Sequence, residues 1–131
     1  MEYMIGAVLA VVIGAMAAAT GFDRDRVFYP TLLIVIAGYY ILFAVIDGRA
    51  NTITVETVIA LGFGLLAVAG AWWNPWLVVI GLVAHGMFDG VHHLVISNAG
   101  VPPWWPGFCL VFDWGLAGWI GLLIFRRSDK G

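Results

Sequence analysis

Charge is scarce in this sequence. Lys and Arg number 6 and Asp and Glu number 8 in 131 residues, a charged share of 11% where soluble domains carry about 25%. With 63% of residues hydrophobic, too little polar side chain exists to cover a globule in water, so a soluble globular domain is excluded. The few cations form no basic stripe, and nucleic acid is not an expected partner. Cysteine is nearly absent too: Cys109 stands alone, so no intramolecular disulfide can form. Histidine occurs only at His85, His92 and His93, all in one stretch.

Long apolar runs fill the space that charge leaves. The reading is an all-α membrane protein, a single domain over 1–131 built as a bundle of five transmembrane helices at about 3–21, 30–46, 55–71, 75–96 and 107–125. The breaks are plain. Asp23-Arg24-Asp25-Arg26 is a self-neutralising loop, and Pro30 suits the first turn of the second helix. Asp47-Gly48-Arg49 stops that helix, and Thr54 is the expected N-cap of the third, with Glu56 in its first turn. Trp72, Trp73 and Trp76 flank Asn74-Pro75 as an interfacial aromatic turn. The longest loop, Ser97 to Gly107, is stiffened by Pro102, Pro103 and Pro106 and anchored by Trp104 and Trp105. Met1 to Gly21 has an apolar centre but Glu2 and no cation ahead of it, which is the wrong charge for a secretory signal, so the segment is read as a retained helix.

Five spans put the two ends of the chain on opposite sides. Arg24, Arg26, Arg126, Arg127 and Lys130 then share one side and Arg49 holds the other, so the positive-inside rule places the C-terminus in the cytoplasm and the N-terminus outside. The expected location is a bacterial inner membrane, with the lipid bilayer as the main partner. Gly6, Ala10, Gly14 and Ala18 recur every fourth position, a small-residue ridge through which two copies can pack as a homo-oligomer.

Ionisable residues inside such spans are costly and therefore mark function. His85, Asp89, His92 and His93 fall within an arc of roughly 100° on the fourth helix and can face one cavity. Counting inward at about 1.5 Å per residue, Asp89 and Asp113 both lie about 10 Å below the outer interface. His92, His93 and Cys109 lie at about 4–6 Å, and His85 lies near the midplane. Helices four and five follow one another through a loop of about ten residues and so are expected neighbours, with Cys109 and Asp113 opposite the histidine stripe. Glu56 and Asp47, at the outer ends of helices three and two, are placed to close the same vestibule. Tyr39 and Tyr40 sit mid-span, where a hydroxyl needs a partner such as His85 or Asp113.

Imidazoles and carboxylates converging from several helices are the usual ligands of zinc, iron or copper. The expectation is an outward-facing metal site with His85, Asp89, His92 and His93 as ligands, and Asp113 or Glu56 as a further ligand or the general base of a hydrolytic or redox reaction. The same residues without metal can relay protons or line a solute path in a transporter. Asp89 and Asp113 can equally be a hydrogen-bonded pair that only holds helices together, as in an accessory subunit.

Asp89-Gly-Val-His92-His93 resembles a reduced form of the His-x2-His-His box of membrane desaturases and hydroxylases, with His85 to Asp89 in the place of a His-x3-His box. Those enzymes use several histidine boxes for two irons, and three histidines on one helix exclude a complete site of that kind within one subunit. The intramembrane His and Asp are also locally similar to those of membrane zinc hydrolases of the alkaline-ceramidase type. As a whole the chain resembles small bacterial membrane proteins of unassigned function, a likeness that implies no chemistry.

Overall fold

A computed structural model describes residues 1–130. Within them the chain forms five α-helices: α1 (Glu2–Thr20), α2 (Phe28–Asp47), α3 (Ala50–Trp72), α4 (Trp76–Val95) and α5 (Trp105–Lys130). Each has the length and apolarity to cross a hydrocarbon core. The protein is an all-α bundle, and its exterior fits lipid: Val8 is 60% exposed, Leu61 62% and Leu65 73%, where a water-facing helix would be polar.

Local chemistry sets the helix ends. Gly21 and Gly48 take left-handed backbone angles (φ 83° and 87°) that terminate α1 and α2, and the Gly48 N–H donates to the Ala44 carbonyl at 3.0 Å. Asn74 Oδ1 accepts from the Trp76 N–H at 3.0 Å and so starts α4 right after Pro75. α3 departs from expectation, beginning at Ala50 with Thr54 one turn inside it. The Thr54 hydroxyl donates back to the Ala50 carbonyl at 2.9 Å, and Thr57 does the same to Ile53 at 2.6 Å. These threonines satisfy themselves within the helix, so neither is needed as a cap.

α1 packs on α5, α5 on α4, and α4 against the α2–α3 hairpin. The small-residue ridge is spent on the first of these contacts. A Cβ at Gly6 would lie 2.5 Å from the Phe108 carbonyl oxygen, and one at Gly14 would lie 2.6 Å from the Trp119 ring. Ala10 is also buried, yet the fourth member is Ala17, fully buried, and Ala18 is exposed. At about 100° per residue Ala18 has rotated about 120° from Gly6, whereas Ala17 is only about 20° away. The face expected to join two copies is therefore occupied within the chain by α5.

Loop 96–104 is pinned over one end of the bundle. Arg49 donates to the Ser97 carbonyl at 2.9 Å while pairing with Asp47 at 2.7 Å, and Asp47 Oδ1 accepts from the Ala99 N–H at 2.9 Å. The hydrogen bonds to Asp47 raise the pKa of Arg49 further, so the clasp stays charged. Gly100 lies directly on the Phe43 carbonyl, where a Cβ would overlap it. Gly100→Ala is expected to lift the loop and lower stability by about 1–3 kcal/mol, read by thermal unfolding in detergent. An unchanged melting temperature would mean that the loop is not seated there.

Candidate metal centre

Asp89 follows His85 by one helical turn on α4, so both side chains leave the helix on one face. α5 brings Asp113 to the same point. His85 Nδ1 lies 2.7 Å from Asp113 Oδ2 and 3.3 Å from Asp89 Oδ2. All three residues are sealed, at 1%, 0% and 0% exposure, and one ligand atom from each can be chosen so that the three lie within 4.8 Å of one another. α2 supplies Tyr40, whose hydroxyl donates to Asp89 Oδ1 at 2.5 Å. Phe63 of α3 stands edge-on to the His85 ring at 4.8 Å and closes the remaining side.

This arrangement leaves polar atoms without partners. One N–H at Nδ1 serves a single strong hydrogen bond, and Asp89 Oδ2 and Asp113 Oδ1 are buried with none among the described residues. With both carboxylates ionised and the ring protonated the group would carry a net charge of −1, which burial disfavours unless a further proton or another cation balances it.

A second polar layer lies one turn nearer the loop. His92 Nε2 faces Glu56 Oε1 at 2.5 Å, and the same oxygen accepts from the Asn98 amide at 3.1 Å. With Glu56 ionised, His92 is the donor of this bond. Tyr40 joins the layers, its ring stacking on His92 at 4.2 Å while its hydroxyl holds Asp89. Glu56 and His92 are 1% and 2% exposed, and Glu56 Oε2 has no hydrogen-bond partner among the described residues.

The sequence candidates therefore separate. His85, Asp89 and Asp113 come together; His92 and Glu56 form their own pair; His93 is exposed and joins neither. Adjacent helical residues point about 100° apart, so only one of His92 and His93 can face inward. The expected single pocket opening outward is divided. A cleft of about 680 Å³ beneath the loop is lined by His92, His93 and Asn98, while the triad lies behind Tyr40 and Phe63, outside that lining. Cys109 is buried at 2% one turn before Asp113. Asp47, expected to close a vestibule, holds the loop instead. Tyr39 packs edge-on against Trp105 at 5.0 Å and does not serve the site. Asn98 escapes sequence reading, because an amide in a loop carries no periodic signal.

Fold and site together define an integral membrane bundle with a buried His/Asp group able to accept a metal ion. Comparison with protein-family models, with curated proteins and with solved structures finds no match to this chain.

Proposed function

We propose that this protein binds one divalent transition-metal ion between α4 and α5, with His85 Nδ1 and one oxygen each of Asp89 and Asp113 as ligands. The observation that carries this reading is the convergence of both carboxylates on one imidazole nitrogen at essentially zero exposure. A doubly charged ion with a neutral imidazole and two carboxylates sums to zero, which removes the charge imbalance described above. Ligands about 2.1 Å from a tetrahedral zinc ion stand about 3.4 Å apart. The 3.3 Å separation of Nδ1 from Asp89 Oδ2 already matches that, and the 2.7 Å contact to Asp113 has to open by about 0.7 Å. One nitrogen and two hard oxygens suit zinc or ferrous iron better than cuprous copper. Three protein ligands leave a fourth position open, the pattern of catalytic rather than structural zinc. Within this reading Asp113 is a ligand, and Glu56 with His92 is the remaining buried pair for acid–base work.

Elemental analysis of detergent-purified protein tests the proposal. About one equivalent of metal is expected in the wild type and also in His93→Ala, because His93 lies outside the triad. Equal, sub-stoichiometric metal in wild type and triad variants would overturn it.

One distance favours a second reading. A separation of 2.7 Å is a hydrogen bond as it stands, so the triad can hold a proton in place of a metal ion. Such a protein would purify metal-free and would lose any proton-driven flux in liposomes on Asp113→Asn.

A further inference from the structure

The opposite end of the bundle carries five of the six cationic residues. There the turn after α1, the α3–α4 turn and the last turns of α5 surround a cleft of about 290 Å³. Its walls are apolar, formed by residues such as Val78, Ile120, Leu123 and Ile124, and its rim holds Arg24, Arg26 and Arg127.

The rim charges are only partly used. Arg26 donates Nε to the Ala71 carbonyl at 3.0 Å and Nη2 to that of Trp72 at 3.3 Å, capping the end of α3. Arg127 donates Nη2 to the Asp23 carbonyl at 3.0 Å and lies 3.5 Å from the Asp23 carboxylate. A guanidinium has five N–H donors, so both retain free ones. Arg24 is exposed and has no side-chain partner among the described residues. Two acids face the same cleft: both make contacts within the chain, although Asp23 Oδ1 has no hydrogen-bond partner among the described residues. Asp25 accepts from the Val27 N–H at 2.9 Å, and Asp23 neighbours Arg127. Three guanidinium groups against two carboxylates leave a surplus of one positive charge. Tyr29, only 6% exposed, also lines the cleft, and its hydroxyl makes no hydrogen bond among the described residues.

An apolar cleft with a cationic rim and an uncommitted hydroxyl matches an amphiphile with an anionic head. Basic pockets between transmembrane helices recognise anionic lipid headgroups in this way. We infer that the cleft seats one anionic phospholipid of the bilayer, its phosphate held by Arg24, Arg26 and Arg127 and an acyl chain lying along Val78 and Ile124. The inference is independent of the metal reading, since the triad lies toward the other end of α4.

Native mass spectrometry of the full chain, exchanged into detergent with equal phosphatidylglycerol and phosphatidylcholine, tests it. Wild type is expected to retain one phosphatidylglycerol in preference to phosphatidylcholine. Arg24→Gln, an exposed change without structural partners, is expected to weaken that retention about five-fold. Arg126→Gln removes the same charge from the same end outside the cleft and is expected to leave retention unchanged. Equal retention of the two lipids, or equal losses in the two variants, would overturn the inference. Displacement of the lipid by millimolar inorganic phosphate would do so too, because it would assign the rim to a soluble anion.

Discussion

His85→Ala is expected to lower bound metal at least ten-fold and to destabilise the bundle by about 3–5 kcal/mol. The imidazole lies against both carboxylates, at 2.7 Å and 3.3 Å. Without it Asp89 and Asp113 face each other across a cavity with Tyr40 as the single remaining donor. Two buried carboxylates in that position must take up a proton or admit water, and either outcome weakens the α4–α5 contact. Because this variant loses stability as well as a ligand, Asp113→Asn is its necessary companion. Asparagine keeps the shape and one acceptor oxygen while removing the charge, so it is expected to lose the metal with a smaller loss of stability. Metal content by elemental analysis and melting temperature in detergent separate the two effects. A His85→Ala protein that still purifies with one equivalent would remove the triad from consideration as the site.

Gly6→Leu is expected to detach α1. Even the first carbon of a side chain at this position would sit 2.5 Å from the Phe108 carbonyl oxygen and 3.3 Å from the Phe112 nitrogen, and both belong to the backbone of α5. A backbone cannot rotate out of the way as a side chain can, so the helices must separate. Among the α-helices of the described residues α1 packs on α5 alone, its other contact being the short 3-10 turn Phe22–Arg24 that follows it directly. For Gly6→Ala the cost is about 1–3 kcal/mol, and the longer leucine adds to it. Gly38 provides the control, since a Cβ there meets nothing within 4 Å and alanine is the better helix former. Protease nicking at the 21–27 turn, together with thermal unfolding, reads the release. A Gly6→Leu protein as resistant and stable as Gly38→Ala would show that the ridge does not hold α1.

Much of this architecture is legible from residue types. The spans follow from apolar length, and their ends from Gly21, Gly48 and Asn74-Pro75. The meeting of Asp89 with Asp113 follows from equal depth on two helices joined by one loop. What stays hidden is rotation about the helix axes. In water an apolar stripe reveals the buried face, but in a bilayer both faces are apolar and the stripe vanishes. Hence nothing in α2 distinguishes Tyr40, which serves the site, from Tyr39, which packs on Trp105. The same loss conceals which partner the Gly6–Ala17 ridge meets. Thr54 misleads for a different reason: a threonine that bonds its own helix looks, in sequence, like one that starts it.

The clasp over loop 96–104 makes access to the triad a matter of time rather than of space. From Val95 inward the order is loop, Glu56–His92 pair, Tyr40 ring and then the triad, with Asp89 about 9 Å and His85 about 15 Å below the end of α4. Asn98 ties the loop to Glu56 and to the Tyr40 carbonyl, and Arg49 ties it to the α2–α3 turn. Whatever reaches His85 from this end has to pass the Glu56–His92 pair and the Tyr40 ring. Under the metal proposal, exchange from this end is expected to be slower in wild type than in a variant whose loop clasp is broken, such as Arg49→Gln.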